Sequence, residues 1–201
     1  MKKALPALLG VAIACCFALP TRAQDLTGNL KKIKETGQMT VAHRESSIPF
    51  SYLDDKQQPI GYSMDICAKV VDAVKAELKM PNLKVVYQPV TSSNRIPLLQ
   101  NGTVDIECGS TTNSVERQKL VAFGPTYFRI QVTAAVKKSS NISSLAELNG
   151  KNISTTSGTT AVPLLKAYEK AEPATITPFL YSQIPCALLA GWMVYGHIPD
   201  Q

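Results

Sequence analysis

The sequence predicts an α/β protein, and two observations support this fold class. Strand-like and helix-like segments alternate through the first half of the chain, as in strand–helix–strand units. Polar side chains also gather directly after successive strands, where an open α/β sheet forms its ligand crevice. The chain has 201 residues, of which 45% are hydrophobic, so it can bury a core for one or two domains.

The first 23 residues have the features of a secretory signal peptide. Two lysines precede an apolar run over residues 4–19, and the small residue Ala23 precedes the expected cleavage site. We therefore expect export of a chain that is cut after Ala23. An uncleaved membrane anchor and a lipoprotein cut before Cys15 or Cys16 are the alternatives.

Charge and cysteine content argue against several classes of function. Removing the signal peptide leaves 18 basic and 15 acidic residues, and a net charge of +3 is too small to indicate nucleic-acid binding. Cys67, Cys108 and Cys186 remain, and an odd number leaves at least one thiol unpaired. Their wide spacing argues against a disulfide scaffold or a zinc site, and neither His43 nor His197 has a second ligand at metal-binding spacing.

The first half of the chain should contain three strands, each preceded by a helix. We predict strands over 39–42, 84–87 and 104–107. A helix over 26–36 that ends at Gly37 should precede the first strand, and a helix capped by Ser63 that runs until Pro81, with Cys67 in its core, should precede the second. A short helix that includes Pro97 and stops at Gly102 should precede the third. Each strand should deliver polar groups to its C-terminal end.

These polar groups favour a ligand that carries carboxylates. Arg44, Ser92 and Ser110 each follow one of the predicted strands. Arg95 and Arg117 flank the Gly-Ser-Thr-Thr turn that opens the next helix, and a guanidinium fork matches a carboxylate with two parallel hydrogen bonds. A helix N-terminus adds backbone N–H groups that face an anion. A solvated loop arginine remains the alternative for Arg44 taken alone.

The second half is less regular. We predict a strand over 127–136, a helix over 145–148 capped by Ser144, and a Ser/Gly/Thr turn over 155–160 ahead of a helix that ends near Lys170. This turn is either a second anion site or ordinary capping. From residue 171 onward the sequence has only two charged residues and four prolines, and we derive no packed element there.

Several motifs occur in the order found in one family. The chain resembles the periplasmic solute-binding proteins of ABC importers for polar amino acids, and within them the members that bind glutamate and aspartate. The resemblance covers about residues 26–170, through HRESSIPFSY at 43–52, NRIPLLQNG at 94–102, ECGSTTN at 107–113, VERQK at 115–119 and TSGTT at 156–160.

The resemblance implies two α/β lobes that close on one amino acid, in a monomeric protein of the periplasm that needs no cofactor or metal and delivers L-glutamate or L-aspartate to an ABC permease. It divides the chain into a signal peptide over 1–23, a first lobe over 24–130 and a partial second lobe over 131–170. The implied ligand-binding residues are Arg117, Thr112 and the Thr160 backbone for the α-carboxylate, Ser110 for the α-ammonium, and Arg44, Ser92 and Arg95 for the distal carboxylate.

The C-terminal region departs from the family pattern. Family members are considerably longer, and after Glu172 neither the histidine nor the acidic residue that they direct at the ligand has a counterpart. We therefore expect 171–201 to be an aberrant tail from a frameshift or internal deletion, and we expect the second lobe to be incomplete. Such a chain should fold its first lobe only partly and should transport little or nothing.

Two other functions are consistent with the same fold. Related cyclohexadienyl-type dehydratases are enzymes, and such an enzyme needs a general acid, for which Glu107 or Glu45 would have to serve. A sensory domain is the third possibility, but the sequence has no second apolar span of about 20 residues.

Overall fold

The computed structural model describes residues 26–130, 132–171, 177–181 and 193–194. The predicted signal peptide, Cys186 and His197 lie outside the described residues. The helices are α1 (Gly28–Thr36), α2 (Tyr62–Glu77), α3 (Arg95–Gln100), α4 (Val115–Gln118) and α5 (Ala161–Ala171). The strands are β1 (Gln38–His43), β2 (Ser46–Ser47), β3 (Ser51–Leu53), β4 (Pro59–Ile60), β5 (Lys84–Pro89), β6 (Ile106–Cys108), β7 (Ala135–Val136), β8 (Asn152–Thr156), β9 (Thr177–Tyr181) and β10 (Met193–Val194).

The first part of the chain is built on a parallel sheet with the strand order β5-β1-β6. His43, the last residue of β1, is level with Pro89 of β5 and Cys108 of β6. The three strands therefore end at one edge, and this confirms both the α/β class and the expectation that their polar successors share that edge. A small antiparallel sheet, β2-β3-β4, follows β1.

Helices α1 and α2 contribute to the main hydrophobic core, which includes Ile33 of α1, Val41 of β1 and Val71 of α2. Gly37 ends α1 as predicted, with a φ of 66° that an L residue rarely adopts. Cys67 lies in this core, also as predicted, and it forms a disulfide with Cys108. The sequence left this pairing open.

The predicted cap of α2 is wrong. Gly61 occupies the N-cap position with a φ of 123°, and a Cβ there would lie 2.6 Å from the carbonyl oxygen of Phe50. Ser63 is in the first turn of α2, where its hydroxyl donates a hydrogen bond to the Gly109 carbonyl oxygen at 2.9 Å. Ser63 thus joins α2 to the end of β6 and does not terminate the helix.

The predicted strand over 127–136 is largely wrong. Among the described residues of this segment, which leave out 131, only the last two form a strand, β7, which pairs antiparallel with β10. Residues rich in β-branched side chains favour an extended backbone, but in the described part of the chain residues 127–130 have no neighbouring strand. Tyr127 instead donates a hydrogen bond to the Gly109 carbonyl oxygen, and the Phe128 ring packs edge-on against Phe50.

A second, smaller unit follows. Strand β8 pairs in parallel with β9, and α5 lies against β8. Strand β9 lies in the region for which the sequence predicted no packed element. Pro178 argues against a central strand, and within the described residues β8 is the one strand that pairs with β9.

The prediction that Ser144 caps a helix is wrong. Leu145 occupies the N-cap position of the 3-10 turn Ala146–Leu148, and it makes no side-chain cap hydrogen bond. Within the described residues, no helix has both the length and the apolar character needed to cross a membrane.

Candidate ligand-binding site

A cavity of about 400 Å³ lies where the first sheet ends and the second unit begins. All seven residues that the sequence nominated line it: Arg44, Ser92, Arg95, Ser110, Thr112, Arg117 and Thr160. The structure therefore brings together groups that are up to 116 positions apart in the chain. The wall also contains lining residues that the sequence analysis did not nominate: Ser46, Ser47, Ile130, Val132, Thr133, Ser154, Thr155, Thr156, Thr159 and Ala161.

Arg44 follows β1 and is almost completely buried, with 3% of its surface exposed. Its Nη1 donates a hydrogen bond to Ser92 Oγ at 2.6 Å, and its backbone N–H donates to Ser51 Oγ at 2.9 Å. Burial lowers the pKa of the Arg44 guanidinium, while Glu107 and Glu45 act in the opposite direction. The solvated loop arginine is thus excluded as a description of Arg44.

Arg95 begins α3 and is 2% exposed. Its Nη1 lies 3.7 Å from Glu107 Oε1, an ion-pair distance that is too long for a hydrogen bond. Burial lowers the pKa of Arg95 to about 10, partly offset by Glu107, so the side chain remains charged at pH 7. Nε and Nη1 of Arg95 and Nε of Arg44 have no hydrogen-bond partner in the part of the chain that the structure describes.

Arg117 connects the two units. It belongs to α4, whose N-cap Ser114 accepts a hydrogen bond from the Arg117 backbone N–H. Its Nη1 donates to the carbonyl oxygen of Thr112 and its Nη2 to that of Gly158, each at 3.0 Å. Burial lowers the pKa of Arg117 as well, and Glu107 opposes this shift. One guanidinium therefore bridges the segment after β6 and the turn after β8.

The turn after β8 brings the backbone of the second unit close to the backbone of the first. Gly158 has a φ of +75°, and a Cβ there would lie 2.7 Å from both the Ser92 carbonyl oxygen and the Ser93 Cα. Thr159 stabilises the turn by donating from Oγ1 to the Thr156 carbonyl oxygen at 2.7 Å. The turn therefore both contributes to the cavity wall and contacts the first unit, and Thr160 precedes α5 beside it.

The wall chemistry suits a small zwitterion that carries negative charge. Three guanidinium groups, several hydroxyls and few apolar side chains line the cavity. Buried N–H donors of an arginine are costly unless an acceptor reaches them, and a carboxylate is the acceptor that fits a guanidinium fork. Among the described residues there is no group of three or more His, Cys, Asp and Glu side chains placed to hold a metal ion.

The family model for bacterial extracellular solute-binding proteins, family 3, matches residues 39–183. The chain belongs to this family. The match includes both units that line the cavity, so the fold is of the periplasmic-binding-protein type with two lobes. This membership confirms the resemblance that the motifs predicted.

Two relatives and one solved structure place the chain within the family. It is 57% identical to the L-glutamate/L-aspartate-binding protein of Pseudomonas aeruginosa, over 81% of this chain and 54% of that protein. It is 47% identical to the glutamate/aspartate import solute-binding protein of Escherichia coli K12, over 82% of this chain and 55% of that protein. An ancestral amino acid-binding protein, a precursor of cyclohexadienyl dehydratase, superposes with a TM-score of 0.65 at 26% identity, over 77% of this chain and 65% of that one. The chain spans about half the length of the curated relatives it matches.

Proposed function

We propose that this protein binds L-glutamate or L-aspartate in the periplasm and delivers it, as a monomer, to an ABC permease in the inner membrane. The observation that carries the proposal is the pair of buried guanidinium groups, Arg44 and Arg95, in one cavity, with N–H donors that no described residue satisfies. The names of the relatives from P. aeruginosa and E. coli support the same ligand class. Residues 1–23 would act as the cleaved export signal.

The two ends of the ligand would meet different parts of the wall. Arg117, Thr112 and the Thr160 backbone would hold the α-carboxylate, and Ser110 the α-ammonium. Arg44, Ser92 and Arg95 would hold the distal carboxylate. The short bond from Arg44 Nη1 to Ser92 Oγ supports the last group as one subsite, because it fixes the guanidinium orientation before a ligand arrives.

A dehydratase is less well supported. Neither Glu107 nor Glu45, the candidate general acids, is among the residues that line the cavity, and Glu107 is engaged by Arg95 and Thr111. A general acid has to reach the atom that it protonates. The ancestral structure is that of an amino acid-binding protein, and its link to an enzyme is that it is a precursor of cyclohexadienyl dehydratase.

Calorimetric titration of the exported chain with glutamate, aspartate and glutamine tests the proposal. We expect glutamate and aspartate to bind at least about tenfold more tightly than glutamine, since loss of one charge-assisted hydrogen bond costs about 1.5 to 3 kcal/mol. Equal affinity for glutamine would exclude the assignment of Arg44 and Arg95 to the distal carboxylate.

A further inference from the structure

Glu107 is a buried carboxylate that the proposed binding mode does not use. It lies on β6, directly before Cys108, and 7% of its side chain is exposed. It is not among the residues that line the cavity. Burying a carboxylate is expensive unless it is paired, so its position behind the cavity wall needs an explanation.

The contacts of Glu107 hold its carboxylate beside the arginines. Oε2 accepts a hydrogen bond from Thr111 Oγ1 at 2.7 Å. Oε1 lies 3.7 Å from Arg95 Nη1 and has no hydrogen-bond partner among the described residues. Gly109 provides the space, because a Cβ there would overlap Oε1 and approach Arg44 Cγ to 2.9 Å. The carboxylate is thus close to Arg95 without occupying the N–H donors of that residue.

Glu107 acts electrostatically on all three arginines of the site. Burial lowers the pKa of Arg44, Arg95 and Arg117, and the negative charge of Glu107 opposes that shift in each case. Arg44 and Arg117 also repel the charge on Arg95. One carboxylate therefore stabilises the charged form of a cluster of three cations.

We propose that Glu107 is a specificity-determining residue that serves as the internal counter-charge of the Arg44 and Arg95 pair. The two guanidinium groups and the Glu107 carboxylate together carry a net charge of +1 at the distal subsite. One carboxylate of the ligand neutralises this charge. The internal carboxylate also repels that ligand group, and so it limits the preference for acidic over neutral amino acids. This inference rests on the proposed function for the identity of the ligand. The counter-charge also has an expected effect on the stability of the protein without an amino acid.

The substitution Glu107→Gln removes the charge and keeps the size of the side chain. Without the counter-charge, Arg44 and Arg95 are buried with two net positive charges, so the unliganded variant should melt at a lower temperature than the wild type. An external carboxylate should then recover part of the loss. We expect sodium acetate at constant ionic strength to raise the melting temperature of E107Q at least about twice as much as that of the wild type.

The ligand preference should change in a direction that a merely structural role would not produce. Removing the repulsion should strengthen glutamate binding and leave glutamine binding nearly unchanged, so the preference should rise about threefold or more. Glu107→Asp keeps the charge and should retain a preference close to that of the wild type. Glu45→Gln removes an exposed carboxylate beside Arg44 and should change the preference little, because solvent screens it.

The experiment combines melting curves in acetate with calorimetric titrations of the full exported chain. Greater acetate stabilisation and a higher glutamate preference in E107Q would support the proposal; an unchanged or lower value of either would overturn it. If the wild type shows no glutamate preference, the proposed function fails, and the acetate series alone decides the role of Glu107. If E107Q does not fold, R95Q/E107Q should fold, because it removes both charges; failure of that variant too would assign Glu107 to packing and overturn the proposal.

Discussion

The two sides of the cavity are built in different ways. Residues 26–130 form a sheet with a buried core and a disulfide, and they bury Arg44 and Arg95 to 3% and 2% exposure. The described residues after 131 contribute a pair of parallel strands, a turn rich in hydroxyls and the helix α5. In α5 itself no described residue is buried, and Leu164 is 53% exposed.

This difference indicates that the two units have different roles toward a ligand. A guanidinium recognises charge strongly only where water is excluded and the side chain is held in place, and the first unit provides both conditions. The second unit offers mainly hydroxyls, together with the Gly158 carbonyl oxygen that accepts from Arg117. We infer that the first unit sets which ligand is chosen and that the second contributes to how tightly any ligand is enclosed.

The largest effect should come from opening the Cys67–Cys108 disulfide, which stabilises the first unit. The cysteines are 41 positions apart, and closing a loop of that length is worth about 4 kcal/mol through the unfolded state. Reduction should lower the free energy of unfolding by about that amount, measured by urea denaturation followed by circular dichroism. A C67S/C108S variant should not respond to the reductant, and a response equal to that of the parent would contradict the prediction.

Arg117→Ala should weaken glutamate, aspartate and glutamine alike. Its guanidinium bonds carbonyl oxygens of Thr112 and Gly158 and would hold the α-carboxylate that all three ligands share. Loss of a charge-assisted interaction of about 1.5 to 3 kcal/mol corresponds to a ten- to hundredfold weaker Kd in calorimetry. Arg129→Ala, which changes an exposed arginine outside the cavity wall, is the control. A loss confined to the acidic ligands would exchange the roles of Arg117 and Arg95.

Gly158→Ala should produce a smaller loss of affinity for every ligand. The new methyl group would collide with the Ser92 carbonyl oxygen and the Ser93 Cα, so the turn has to withdraw from the first unit at a cost of about 1 to 3 kcal/mol.

Gly150→Ala is the matched control for that collision. Gly150 has nearly the same φ as Gly158, +72° against +75°, but nothing lies within 4 Å of a Cβ added at Gly150. Both variants share the backbone strain, so the difference between their Kd values measures the collision alone. Equal losses in the two variants would show that the contact between the units has no part in binding.

The sequence predicted the elements whose signals are local. Strand β1, helix α1 with its Gly37 stop, and the placement of Arg44 and Ser92 after strand ends follow from periodicity and chain order. All seven predicted site residues line the cavity because parallel strands that end at one edge bring their successors together. Their individual roles toward a ligand stay predictions.

The features that the sequence did not reveal depend on tertiary contacts. Ser63 looks like a helix cap, yet the approach of Phe50 to Gly61 decides where α2 begins. Pairing of Cys67 with Cys108 requires knowing that α2 packs against β6. The sequence indicates only an acid–base role for Glu107, because a strand pattern does not show which arginines its side chain contacts. The segment 127–136 has strand composition, but composition does not supply a neighbouring strand.

The most direct test of whether the first unit sets the ligand selectivity is the ratio of the Kd values for glutamine and glutamate. This ratio is measured by calorimetry in the wild type and in Arg95→Ala. Arg95 is buried in the first unit and would contact only the distal group, so the ratio should fall from about ten or more to about one, with glutamine affinity little changed. A melting curve of the variant checks that it folds despite the unpaired Glu107 carboxylate. A variant that is folded and still prefers glutamate as strongly as the wild type would contradict the assignment of selectivity to the first unit.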